Sequence, residues 1–211
     1  MTDNYNIIYD YMQNLGIVKT KDEALKTDLF FDVQLIRRGK DHPTIPAANY
    51  TFKTYYFDSL ESYKKSYNEI KKCCDMFGLR AYVSVNAKSK QEAAKKTLER
   101  YAHNIVISEY RKPWKDFSSV CGGLDGKEKR WIIDVDDCEG FIDYVKKIKE
   151  AINMCESAYD DPIVTIMPTK SGCHIITHPF NIKRFKNLCN ALNIIPPEIK
   201  QNHITLLYEN I

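Results

Sequence analysis

The sequence predicts an α+β fold in two parts, an N-terminal α/β unit and a C-terminal unit built strand-helix-strand-strand-helix-strand. Three observations carry this prediction. Runs such as Phe30 to Arg38, Arg80 to Asn86 and Arg130 to Asp136 alternate their side chains with the period of a strand. The longer segments between them repeat apolar residues at steps of three and four, the period of a helix. From Arg130 onward the two patterns succeed one another without interruption. With 211 residues, 44% hydrophobic and 28% charged, the chain can bury a proper core as one domain or two small subdomains, here expected at 1–126 and 127–211.

Taken in order, Ile7, Ile8, Tyr11 and Leu15 predict an opening helix near Asn4 to Leu15. Phe30 to Arg38 is a strand with Phe31, Val33 and Leu35 on one face and Asp32, Gln34 and Ile36 on the other. Turn residues from Gly39 through His42-Pro43 to Pro46 lead into an aromatic-rich strand, Tyr50 to Phe57, which would pair antiparallel with the first. Asp58 or Ser59 caps the next helix, whose stripe of Leu60, Tyr63, Tyr67, Ile70, Cys74 and Phe77 is stopped by Gly78. A strand, Arg80 to Asn86, and a helix, Ser89 to Tyr101, follow. One face of this first sheet would carry Asp32, Gln34, Arg80, Ser84 and Asn86; such a row is costly to bury empty, so it should meet water, a ligand or the other half of the molecule. Residues 105–126, with Pro113, Gly122, Gly123 and Gly126, read as an irregular connector, and Cys121 within it as a small buried residue.

The second part begins with the strand Arg130 to Asp136, followed by a helix carrying Phe141, Val145, Ile148, Ile152 and Cys155. Strands Ile163 to Met167 and Cys173 to Thr177 flank a tight turn; a helix with Phe185, Leu188 and Leu192 ends at Pro196-Pro197; Ile204 to Tyr208 is the last strand. This is the order of ferredoxin-like and RNA-recognition-like units, in which strands one and three are neighbours.

That adjacency brings two motifs together. Alternation puts Ile132, Asp134 and Asp136 on one face of the first strand, and two like charges there call for a counter-charge, usually a hard divalent cation such as Mg²⁺ or Mn²⁺. In Thr169-Lys170-Ser171-Gly172-Cys173-His174, backbone N–H groups, the Ser171 hydroxyl, Lys170 and His174 can reach an anion. Each motif has a plainer reading, the acids as a cap for the helix that follows and the turn as a turn. RNA-recognition modules stack bases on exposed aromatics of their central strands; aspartates and histidines in those places favour metal and phosphate chemistry.

Net charge is only +3, which does not mark a nucleic-acid binder, but Arg80 to Lys115 holds nine Lys/Arg against three Glu. That stretch is either the phosphate-contacting face of a bound strand or a solvated helix face. Seven cysteines without Cys-x-x-Cys spacing argue against a disulfide framework and a structural zinc site, and fit a reducing cytoplasm. No basic leader precedes an apolar run, and no stretch approaches the roughly eighteen apolar residues of a membrane helix.

The strand Ile132-Ile133-Asp134-Val135-Asp136 and the turn Ser171-Gly172-Cys173-His174 resemble the first two motifs of archaeo-eukaryotic-type primases and primase-polymerases. One extra residue separates serine from histidine here. Thr169 to Ile176, Pro179-Phe180 and Thr205-Leu206-Leu207-Tyr208 are similar to small phage-encoded members. The resemblance implies a nucleotidyltransferase that joins nucleoside triphosphates on a single-stranded DNA template. Asp134 and Asp136 would hold Mg²⁺ or Mn²⁺, while Lys170, Ser171 and His174 would hold the triphosphate, with Arg80 and Asn86 as further contacts. The family's third motif is a carboxylate on the last strand. Only Glu198 and Glu209 are available there, and Glu209 is taken as the metal candidate. A primase of this kind would act in the bacterial host's cytoplasm, alone or with a separate helicase. The alternatives are a family member that binds nucleotide or single strands without catalysis, and a metal-dependent phosphodiesterase.

Overall fold

A computed structural model describes residues 1–41, 49–110 and 112–210 of the chain. It is a mixed α+β structure with seven α-helices and two antiparallel sheets among the described residues. The chain opens with β1 (Thr2–Asp3), α1 (Tyr5–Asn14) and a short α2 (Lys21–Ala24). Next come β2 (Leu29–Arg37) and β3 (Tyr50–Phe57), which pair antiparallel as expected, from Phe31 opposite Phe57 to Arg37 opposite Tyr50. Of the turn between them, Gly39–Asp41 forms one 3₁₀ turn, while His42, Pro43 and Pro46 lie outside the described residues. In α3 (Leu60–Phe77) the Ser59 hydroxyl accepts from the Ser62 N–H, and Gly78 closes the helix at φ 59°. Its stripe of Leu60, Tyr63, Tyr67, Ile70 and Cys74 is buried.

Two expectations in this half are corrected. The strand after Gly78 splits into β4 (Arg80–Ser84) and β5 (Lys88–Ser89), which pairs separately with β2. The stretch expected to be irregular holds the end of α4 (Lys90–Val106) and an eleven-residue helix, α5 (Pro113–Gly123). Pro113 takes the first helical turn, where a missing N–H costs nothing, and Phe117, Val120, Cys121 and Leu124 pack against Phe30, Tyr56 and Ala93. Asp116, buried on α5, accepts two hydrogen bonds from Asn104 on α4, at 3.0 and 3.1 Å.

The second half runs β6 (Trp131–Asp136), α6 (Phe141–Asn153), β7 (Ile163–Thr169), β8 (Gly172–Thr177), α7 (Ile182–Ala191), β9 (Glu198–Gln201) and β10 (Ile204–Glu209). Its sheet has the order β7-β8-β6-β9. Here lies the largest correction: the strand expected to close this sheet, β10, instead enters the first one, giving the order β1-β10-β4-β2-β3. The short β9, unforeseen after Pro196-Pro197, takes the place beside β6. Both candidates carry an alternating pattern, and the apolar run Leu206-Leu207-Tyr208 is the one that can be buried on both sides, so it goes to the interior position between β1 and β4.

One core therefore serves both sheets. Ile132, Met167 and Ile176, from the second sheet, are fully buried in the same cluster as Ile8, Met12, Val83 and Leu207. At about 1.5–3 kcal/mol for each buried side chain, these three join the sheets by roughly 5–9 kcal/mol. The opposite face of the second sheet packs Ile133, Val135 and Ile175 on α6 and α7 through Ile148, Ile152 and Phe185. The boundary between residues 126 and 127 thus does not separate two cores, since side chains from both sides of it share one cluster.

Candidate functional site

The polar ends of the two sheets face each other across a cleft of about 270 Å³. One wall is Ile36, Arg38, Arg80, Tyr82 and Leu206; the other is Asp134, Asp136, Thr169, Lys170, Ser171, His174 and Lys200. The predicted adjacency of the two motifs is present, since Asp134 lies directly opposite His174 in the β6–β8 ladder. Cross-strand partners share a sheet face, and the imidazole Nε2 comes within 3.2 Å of Asp134 Oδ1.

The turn between β7 and β8 is shaped by Gly172. Its φ is +136°, and a Cβ there would fall 2.0 Å from the Val135 carbonyl oxygen, so only glycine lets the turn close on the end of β6. The Asp137 N–H donates to the Ser171 carbonyl at 2.9 Å, which holds the turn on that strand. Lys170 and Ser171 are left exposed at the rim. The place between Ser171 and Cys173 is thus one that only glycine can fill.

Asp134 is engaged on both oxygens. Lys200 on β9 donates to Oδ2 and lies 3.3 Å from Glu198 Oε2, while His174 faces Oδ1. His174 foremost, and Lys200 after it, hold the Asp134 carboxyl well below the usual carboxylate range, against the burial that would raise it. Burial pulls the Lys200 ammonium down, but Asp134 and then Glu198 outweigh it and keep the ammonium above its ordinary value. His174 Nδ1 is hydrogen-bonded to the Thr205 hydroxyl at 2.8 Å, a fully buried side chain contributed by β10. The first sheet thereby orients a residue of the second.

Two sequence candidates lie elsewhere. Asn86 is buried against the 128–130 segment, where its Oδ1 accepts from the Arg130 N–H at 2.8 Å, and it does not line the cleft. Glu209 is buried with Arg80, its Oε2 3.2 Å from Arg80 Nη1 without an aligned hydrogen bond, and it also stands outside the cleft lining. Arg80 reaches the cleft, but it is 5% exposed and forked onto Asp41 by bonds of 2.8 and 2.6 Å, so its charge is already matched. The acid that stands in register with Asp134 is Glu198, on β9. The sequence offers Glu198 only as the alternative to Glu209, the acid chosen there, and carries no signal for Lys200, Thr205 or Arg38. Arg38 donates to the Tyr82 hydroxyl at 2.9 Å, and its buried Nε has no partner among the described residues.

Do these residues fit Mg²⁺ or Mn²⁺? Asp134, Asp136 and Glu198 belong to one sheet face, but the ammonium of Lys200 stands between Asp134 and Glu198. Among the described residues no group of three His, Cys, Asp or Glu is placed to hold a metal ion. As arranged, the acids do not present an open divalent-cation site. With Arg80 matched by Asp41 and Lys200 by Asp134, the charges left in the cleft are Arg38, Lys40 and Lys170 against Asp136, a balance suited to an anion.

What fold and site define is thus a mixed α+β protein with a cationic cleft between two antiparallel sheets, aligned on an Asp–His pair. No family model, curated protein or solved structure matches the chain. Among the described residues no helix is long and apolar enough to cross a membrane.

Proposed function

We propose that this chain is a nucleotide-binding core of the primase and primase-polymerase type, taking a nucleoside triphosphate in the cleft and joining it to a strand paired with a single-stranded DNA template. The observation that carries the reading is the register of β6 and β8: it sets Asp134 beside His174 and puts Lys170 and Ser171 at the rim, facing Arg38 and Lys40. Read in their own order, the strands of the second sheet lie two-three-one-four, which supports an RNA-recognition-like unit. Lys170, Lys40 and Arg38 would hold phosphate oxygens by charge-assisted hydrogen bonds, and Ser171 would add a hydroxyl. The transfer implied is in-line attack of a 3′-hydroxyl on the α-phosphorus, with pyrophosphate leaving.

The template reading draws on the α4–α5 hairpin. Tyr110 and Trp114 are 80% and 61% exposed beside Lys112 and Lys115, whose ammonium lies 5.9 Å from the Trp114 ring. Exposed rings among cations are what single-strand binders use, rings to stack bases and cations to follow phosphates. A second reading, nucleotide binding without turnover, is favoured by one observation, the closure of Asp134 by Lys200 and His174.

Calorimetric titration of ATP into the wild type, Lys170→Ala and His174→Ala tests the binding. We expect Lys170→Ala to weaken it about tenfold or more, the usual effect of losing a hydrogen bond to a charged group. Primer synthesis on single-stranded DNA then separates the two readings, and a folded wild type that binds no triphosphate overturns both.

A further inference from the structure

Two carboxylates on neighbouring same-face positions of a strand repel one another unless a positive charge lies with them. In this molecule the chain supplies that charge itself. Lys200 leaves β9 from the position opposite Ile132, and Glu198 from the position opposite Asp134, so Lys200, Glu198 and Asp134 share one sheet face, on which Lys200 and Asp134 line the cleft and Glu198 stands outside its lining. The ammonium reaches Asp134 Oδ2 and lies 3.3 Å from Glu198 Oε2. The other oxygen of Asp134 is taken by His174, itself tied to the buried Thr205. Lys200 and Asp134 are 24% and 21% exposed, so their contact is no loose surface pair in which two mobile side chains meet by chance, whereas Glu198, 69% exposed, is the outer and looser partner. Of the three acids on this face, Asp134 and Glu198 meet the ammonium, while Asp136, exposed beside them, has no side-chain hydrogen-bonding or ionic partner among the described residues.

We propose that the Lys200 ammonium is a built-in cation, seated between Asp134 and Glu198 and neutralising them in place of a divalent cation, so that its removal raises the affinity of this face for Mn²⁺. The wild-type cleft therefore binds divalent cations weakly, and binds a nucleoside triphosphate without them. The second statement rests on the proposed nucleotide reading; the first does not. A lysine is suited to the place because its ammonium is a compact point charge with three donors on a flexible stem, enough to meet two carboxylates at once. Unlike a metal, it cannot be exchanged or chelated away.

Mn²⁺ binding followed by electron paramagnetic resonance of the free ion tests this without any nucleotide. Lys200→Met keeps the volume of the stem and removes the charge; it should tighten Mn²⁺ binding at least about tenfold over the wild type, the scale set by removing a unit charge at contact distance from a partly exposed site. Adding Asp134→Asn to Lys200→Met should abolish the gain, and Lys200→Arg should leave binding as weak as in the wild type. Circular dichroism checks that each variant is folded, and Lys200→Gln replaces Lys200→Met if the latter is not. Wild-type binding as tight as that of Lys200→Met, or a gain that survives Asp134→Asn, overturns the proposal. In a parallel arm, ATP is titrated into the wild type with and without EDTA. Equal affinity supports the second statement, and affinity lost in EDTA overturns it. Absence of ATP binding in both would sink the nucleotide reading while the Mn²⁺ result still stands.

Discussion

Asp134 stands between a histidine and a lysine that reach it from different strands, and what each partner does follows from what orients it. Thr205 offers His174 Nδ1 its hydroxyl at 2.8 Å, so the imidazole presents Nε2 to Asp134 in a fixed orientation. Thr205→Val keeps the shape and removes the hydroxyl; it should cost about 1 kcal/mol of stability in urea unfolding and alter the imidazole ¹H–¹⁵N signals of His174. Unaltered signals would show that Thr205 only fills space. Away from the cleft, Asp28, the residue just before β2, ties that strand's start to the start of α4. It accepts from the Ser89 hydroxyl at 2.6 Å and the Gln91 N–H at 2.8 Å, with Lys127 at 3.0 Å, and Ser89 foremost brings its carboxyl from 3.8 down to about 2. The folded-state value is the lower one. The contribution is therefore complete above about pH 4 and is lost as pH falls through the folded value. Thermal melts should show the stability difference between wild type and Asp28→Asn shrinking from pH 4 to pH 2. At this scale the sequence displayed Asp134, Asp136 and His174, because a two-residue period suffices to place them on a face. It did not display Lys200 or Thr205, whose roles depend on strands distant along the chain.

Among the elements, the β7–β8 hairpin shows how much one backbone conformation can position. Gly172→Ala would set a methyl against the Val135 carbonyl at a positive φ, and we expect a loss of about 2–4 kcal/mol in denaturant unfolding. An unchanged midpoint would mean that β6 and the turn can separate at no cost. α3 was legible from its stripe, its serine cap and its glycine stop, three signals that agree. α5 was not, because two glycines at its end and a proline at its start look like loop material, although proline suits a first turn. Its apolar residues meet Phe30 and Ala93, distant partners that no local window contains. β9 escaped for a different reason: four residues after Pro196-Pro197 are too few to show a period.

In the whole molecule, the decisive feature is the return of β10 to the first sheet. A fragment of residues 1–126 lacks the strand between β1 and β4 and the Ile132, Met167 and Ile176 side chains that share its core. It should show no cooperative urea transition by circular dichroism, in contrast to the full chain; a cooperative transition would mean that the first unit is independent after all. The sequence by itself determined the secondary structure of most of the chain and the facing of Asp134 and Asp136, because periodicity is a local property of the backbone. It also indicated the neighbouring of β6 and β8, through the strand-helix-strand-strand order. Only the tertiary structure decided which sheet β10 joins and which cation Asp134 meets. An alternating strand fits either sheet equally well by pattern, and the choice falls to the burial of Leu206, Leu207 and Tyr208 between β1 and β4. That choice leaves the place beside β6 to β9, and with it Lys200, 66 residues along the chain from the carboxylate it neutralises.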